Sequence, residues 1–312
     1  MSAREKLLAY VAFGVVCTVW GTTYLAIRVA IETLPTFLFP GLRFTIAGVI
    51  LLAICLARGE KLPPRMSDWA NLALIGVLMV GAGNVAVVWA EHWVTSGFAA
   101  LLVATSPFWM ATLEALRPTG ERLTRRKTTG LLLGFAGVLI LVAPSILPSS
   151  FRPMFLLGVI VLQLGTIGWD IGSIRSKYHA ISAPALVSAA VQMISGGVVV
   201  SLIGLALGEA PQFHFSGRTL AAFLYLVVFG SILAYAAYVY ALSKLPTSTV
   251  LLHAYVNPAV AVVVGWLILD EPLGWNAILA MLVIFSGVAL VQRSARQRRL
   301  EIIEPAASLE KV

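Results

Sequence analysis

Long apolar runs, each closed by a short polar or basic cluster, alternate along the whole 312-residue chain. A helix that crosses a bilayer needs roughly 20 mostly apolar residues, because each residue rises about 1.5 Å across a hydrocarbon core about 30 Å thick. Ten windows meet or approach that length. The first five are Leu8–Arg28, Thr36–Leu56, Trp69–Trp89, Ser96–Leu116 and Thr128–Val142. The second five are Phe155–Arg175, Ala183–Leu207, Thr219–Tyr240, Thr247–Leu267 and Asn276–Gln292. The fifth and tenth are the shortest. The pattern predicts an all-α integral membrane protein of ten transmembrane helices.

Charge gives this count a test. With the N-terminus in the cytoplasm, 18 of the 22 Lys and Arg residues fall on the cytoplasmic side. They cluster at Arg4 and Lys6, at Arg58 to Arg65, at Arg117 to Lys127, at Arg175 and Lys177, at Lys244, and from Arg293 onward. Cytoplasmic loops favour Lys and Arg, so the skew places both termini inside. One helix more or fewer would scramble the alternation. Composition agrees: 59% of residues are hydrophobic and 12% are charged, about half the charged share of a soluble domain. The net charge of +8 therefore belongs to loops beside a membrane, and nucleic-acid binding is not expected. Cys17 and Cys55 both lie in apolar runs, as small buried residues rather than a disulfide.

The chain also repeats itself. At an offset of 149, Trp20 falls on Trp169, Arg28 on Lys177, Pro35 on Pro184, Arg43 on Gln192 and Gly48 on Gly197. Pro107 falls on Pro258, Glu121 on Glu271 and Gly137 on Gly287 at offsets drifting to 151 and 150. Five spans per half is an odd number, so the second half must begin on the opposite face. Inverted halves of this kind recur in secondary transporters and place the substrate site near the midplane between them.

Several of these landmarks carry a resemblance. Trp20-Gly21, Leu42-Arg43-Phe44 with Ala47, Ser106-Pro107 and Gly120-Glu121-Arg122-Leu123 recur in altered form as Asn257-Pro258 and Leu269-Asp270-Glu271-Pro272-Leu273. With Gly130, Gly137 and Gly287, the chain resembles the EamA family of the drug/metabolite transporter superfamily. The resemblance implies two five-helix repeats, at 7–143 and 154–292, followed by a cytoplasmic tail at 293–312. It also implies a bacterial inner-membrane location and export of small metabolites, often amino acids, by alternating access.

Candidate site residues follow from polar or bulky groups placed inside spans. Trp20 and Trp169 lie deeper than an interfacial belt, and with Tyr24, Trp109 and Tyr235 they offer aromatic walls for a flat side chain or an ammonium group. His253 and Asn257 are four residues apart and share a helix face beside Pro258. Asn84 lies inside the third span. Intramembrane polar groups face a wet cavity or bond between helices, and both readings stand for these three. Pro107 and Pro258 predict paired kinks or hinges, with the Val103 and Ala254 carbonyls released. Arg43, well inside its span, either snorkels outward or meets a substrate carboxylate. Glu121 and Glu271 suit caps of the helices that follow them. Gly130 and Gly134 suit a close helix contact or a homodimer.

Other functions are less well supported. A proton-coupled exporter of cationic drugs wants a midplane acid, whereas Asp170, Glu114 and Glu91 lie toward span ends. No His-Glu-x-x-His, Gly-x-Ser-x-Gly or phosphate-cradling Gly-x4-Gly-Lys motif occurs, so neither an intramembrane enzyme nor ATP hydrolysis is expected, and no cofactor or metal is implied. The expected partners are a small neutral or zwitterionic substrate and the lipid bilayer.

Overall fold

The computed structural model describes residues 2–117, 124–146, 153–179, 181–250, 252–271, 274–287 and 289–290. Glu121 and the tail from 293 lie outside them. The described residues are helical with no strand. Seven helices are long and apolar enough to cross a membrane: Ala3–Ala30, Leu38–Ala57, Met66–Ala90, Ser96–Leu116, Pro153–Tyr178, Ala185–Ala206 and Gly217–Lys244. Three shorter apolar helices, Thr128–Ile140, Val256–Leu269 and Trp275–Gly287, fall in the fifth, ninth and tenth windows.

The helices are α1 (Ala3–Ala30), α2 (Leu38–Ala57), α3 (Met66–Ala90), α4 (Ser96–Val103), α5 (Ser106–Leu116), α6 (Arg125–Ile146), α7 (Pro153–Tyr178), α8 (Ala185–Ala206), α9 (Gly217–Lys244), α10 (Thr247–Val250), α11 (His253–Leu269) and α12 (Trp275–Gly287). They form two compact units that cut across the two sequence halves. The first comprises Met1–Val103 and Arg152–Pro272, the second Ala104–Phe151 and Leu273–Val312.

In the first unit α2 runs along α8, α1 lies against α9 and α11, and α7 packs on α3. Lipid tails are as apolar as leucine, so hydrophobicity alone does not join membrane helices; close backbone approach does. Gly197 shows this. A Cβ there would stand 2.6 Å from the Thr45 amide nitrogen and 2.8 Å from the Gly41 carbonyl oxygen, so only glycine lets α8 seat against α2. Outward faces carry exposed Ile46, Val49 and Ile50 on α2 and Leu202 and Ile203 on α8, while Arg43, Asp170 and Gln192 are buried. This inside-out polarity suits a lipid solvent.

Helix ends in this unit are tied by charged side chains from elsewhere. Glu209 accepts the amides of Phe37 (3.0 Å) and Leu38 (2.7 Å) at the start of α2. Glu271 accepts those of Ser96 (2.9 Å) and Gly97 (3.2 Å) at the start of α4. Glu271 is thus a cap as expected, but of the fourth span rather than the tenth. A carboxylate there satisfies orphan N–H groups and the positive end of the helix dipole. At C-terminal ends, Arg28 donates to Glu91 O after α3, and Lys177 donates to Leu242 O (2.5 Å) and Leu245 O (2.9 Å) at the end of α9.

In the second unit α5 packs on α6. The Phe108 ring occupies the space beside Gly134, and Gly287 on α12 approaches Gly130 O on α6. The Gly130/Gly134 pair therefore serves helix contacts inside the chain.

Candidate functional site

Among the described residues, two of the membrane-crossing helices contain a segment that departs from α-helical geometry. Within α3, Val77–Asn84 is π-helical, and within α9, Leu226–Leu233 is π-helical. The two stretches have the same length and begin 149 residues apart, the offset that pairs Trp20 with Trp169. A π-turn widens the helix and frees backbone groups, and such turns concentrate at functional sites. Here one freed group is used: Trp20 Nε1 donates to Gly230 O (3.2 Å) in the second π segment.

Around Trp20 the first unit gathers an aromatic cluster. Its ring centroid lies 5.4 Å from Trp169, 5.0 Å from Tyr238 and 5.4 Å from His253. Trp169 also meets Tyr235 (6.0 Å) and Tyr238 (5.6 Å), and Tyr238 meets His253 (5.7 Å). Most of these contacts are edge-on or tilted, as ring quadrupoles prefer. The two indoles are half-buried while both tyrosines and His253 are buried, so the open side of the cluster is made of tryptophan. His253 Nδ1 faces Val250 O at 2.8 Å; a carbonyl only accepts, so Nδ1 carries a proton.

Next to this cluster sits Arg43, 2% exposed. Its Nε donates to Ser231 Oγ at 2.8 Å, and Nη1 reaches Asn84 Oδ1 at 3.5 Å. Its guanidinium carbon lies 4.5 Å from the centre of the Phe44 ring. Arg43 therefore spans from the second π segment to the last residue of the first, and it does not snorkel outward. Gly230 makes room for it, since a Cβ there would come within 2.9 Å of Nη2. Among the described residues no carboxylate forms an ion pair with Arg43. Its repeat counterpart Gln192, fully buried, accepts a hydrogen bond from Tyr235 Oη (3.0 Å).

Of the residues expected at the site, Trp20, Trp169, Tyr235 and His253 meet in one cluster, and Asn84 joins Arg43. Asn257 lies below His253 as a helix tie: with its amide oriented to suit its neighbours, its nitrogen donates to Cys17 O (3.0 Å) on α1 and to His253 O (3.2 Å). Tyr24 is buried one turn beyond Trp20 on α1, and among the described residues no ring contact joins it to the cluster. Trp109 belongs to the second unit, edge-on to Phe135 at 5.4 Å. The prolines are not equivalent hinges. The fourth span passes through a turn at Ala104–Thr105, and Pro107 sits in the first turn of α5, where its missing N–H costs nothing. Pro258 lies inside continuous α11.

Tyr238 and Ser231 escaped sequence reasoning. Tyr238 stands three residues after Tyr235, so helical spacing puts both on one face; it also shares a hydrogen bond with Ser173 Oγ (3.0 Å). Ser231 offered only its polarity within an apolar run. A separate cavity of about 510 Å³ lies at one end of the first unit, lined by Arg28, Glu32, His92, Thr95, Asp270 and Glu271 among others. It does not contain the aromatic cluster.

Comparison with known proteins agrees with this architecture. The model of the EamA-like transporter family matches twice, at residues 7–143 and 156–293. An uncharacterized inner membrane transporter of Escherichia coli strain K12, YedA, is 36% identical over 293 residues, covering 93% of this chain and 92% of its own. The uncharacterized transporter YoaV of Bacillus subtilis is 24% identical, covering 88% and 92%. Protein PecM of Dickeya dadantii is 26% identical, covering 94% and 95%. A solved crystal structure shares the fold, with a TM-score of 0.69 at 21% identity over 95% of this chain and 99% of that one.

Proposed function

This chain belongs to the EamA-like transporter family, and on that premise we propose that it is a secondary-active exporter of small neutral or zwitterionic metabolites such as amino acids. The observation that carries the substrate class is Arg43, a buried cation whose described partners are all neutral. A desolvated guanidinium without an anion is costly, and a substrate carboxylate relieves that cost when bound. The indole faces of Trp20 and Trp169 attract the ammonium group of the same molecule. Carboxylate on Arg43 and ammonium on tryptophan together describe an amino acid.

The mechanism is alternating access by ten spans arranged as two inverted five-helix halves, with both termini cytoplasmic. Supporting it are the π segments set 149 residues apart and the like use of Arg28 and Lys177, each binding carbonyls at the end of the third or eighth span. Swapping the conformations of two such halves turns an inward-open site outward. Efflux of radiolabelled amino acids from overexpressing cells tests the reading. Substrate-dependent flux above an empty-vector control is expected; no flux from well-expressed protein refutes it. Reporter fusions at both ends test the orientation, and opposite-side signals would sink the ten-span count.

A second reading, proton-coupled efflux of cations, draws on Asp170, which is fully buried beside Trp169. Adding organic cations to the same panel separates the two: transport of cations but not zwitterions selects it.

A further inference from the structure

The cavity of about 510 Å³ at the end of the first unit is lined by Glu271 and by His92, whose chain neighbour Glu91 is a second carboxylate in opposite circumstances. Asp270 adopts the left-handed region with φ 51°, which ends α11 and turns the chain so that Glu271 points back at α4. Its carboxylate takes the Ser96 and Gly97 amides, as described. Gly265 forms the seat beneath, since a Cβ there would stand 2.6 Å from Glu271 Oε2. Glu271 thus holds the end of α11 to the start of α4.

Glu91 lies in the segment joining α3 to α4 and is 0% exposed. Among the described residues, neither of its carboxylate oxygens has a hydrogen-bond partner. The nearby cation, Arg28 on α1, spends a donor on the Glu91 main-chain oxygen instead. The other groups facing this place are Tyr24 on α1, Glu32 after it, His92 beside Glu91, and Asp270 and Glu271 after α11. His92 Nε2 is engaged with Thr36 Oγ1 (3.1 Å). Arg28 and Glu271 line the same cavity, and Glu91, whose main-chain oxygen Arg28 holds, has no hydrogen bond to its carboxylate among the described residues.

We propose that Glu91 is a proton-binding site that controls whether Glu271 keeps α4 and α11 latched together. Protonated, Glu91 is neutral, and Glu271 keeps its charge for the two amides. When Glu91 releases its proton, its buried carboxylate repels the nearby charge of Glu271. Opening the latch hydrates both and lowers that cost. Burial, then the Glu271 charge, already push the Glu91 carboxyl well above the ordinary carboxylate range, with Arg28 acting the other way. The inference rests on the exporter reading for its consequence: a proton would close, and its loss open, one end of the transport path.

Infrared difference spectroscopy of the full chain in nanodiscs, titrated with pH, reads the proton directly and needs no substrate. A protonated-carboxyl C=O band at neutral pH, missing in Glu91→Gln, is expected. In Glu271→Gln the same band should titrate at lower pH, because the opposing charge is gone. If the amide variant misfolds, Glu91→Asp keeps the titrating group and should shift the band. A spectrum in which neither Glu91 variant alters a carboxyl band overturns the proton site. A midpoint indifferent to Glu271→Gln overturns the coupling. Amino-acid flux is measured separately: intact flux with no Glu91 band sinks only this proposal, and a Glu91 band without flux sinks only the exporter reading.

Discussion

Replacing Arg43 with glutamine separates a structural strut from a substrate-reading residue, because the two roles predict opposite signs. Glutamine already fills the repeat-equivalent position, Gln192, so the side chain fits a shared backbone. The substitution removes the Nε to Ser231 Oγ bond of 2.8 Å and the long contact to Asn84. One hydrogen bond from a charged donor is worth about 1.5–3 kcal/mol. Against that loss stands relief of a buried guanidinium with no described anion, and desolvating a single ion costs several kcal/mol. The two nearly cancel, so the thermal midpoint of the purified protein should stay level or rise slightly. Transport should respond differently. A carboxylate that loses a charge-assisted, two-point partner forfeits about 3 kcal/mol, or ~100-fold in affinity. The assay is concentration-dependent uptake into inside-out vesicles, using the best substrate from the efflux panel and its carboxamide analogue. The KM for the acid should rise by about that factor while the KM for the amide changes little. A variant that is several degrees less stable, yet transports the acid with unchanged KM, would falsify the reasoning and make Arg43 a strut between α2 and α9.

Trp169→Ala and His253→Ala should each raise KM at least tenfold with little loss of expression, since each deletes one wall of the aromatic cluster; normal transport in both would remove that cluster from the substrate path. Gly230→Ala should lower the thermal midpoint by the equivalent of about 1–3 kcal/mol of overpacking, because its Cβ would stand 2.9 Å from Arg43 Nη2 and 3.0 Å from Thr23 Cγ2. Lys177→Met should cost about 1–2 kcal/mol of stability by leaving the Leu242 and Leu245 carbonyls without that donor, with KM unchanged in the vesicle assay. His92 is held below the ordinary imidazole range by burial and then by Arg28. Its neutral form is favoured in the fold, so its contribution to stability is present above the unfolded pKa and declines as pH falls through the folded value. A pH series of thermal midpoints should therefore flatten on its acid side in His92→Gln.

The sequence by itself determined the solvent, the seven helices long and apolar enough to cross a membrane, and the internal offset of 149. Those follow from local quantities, since runs of apolar residues and recurring landmarks need no knowledge of packing. It also marked Trp20, Trp169, Tyr235 and His253, because bulky aromatics and a histidine stand out against an apolar span. The tertiary structure decided which of them meet. Tyr238 enters the cluster because helix crossings, not spacing along one helix, set which faces oppose. The direction of Arg43 was equally open in one dimension: its span allows snorkelling, and only the widened backbone of Leu226–Leu233 with a side-chain-free Gly230 turns it inward. Glu271 was legible as a helix cap but not as the cap of α4, since a loop carboxylate binds whichever helix start the fold brings within 3 Å, and sequence order does not record that distance.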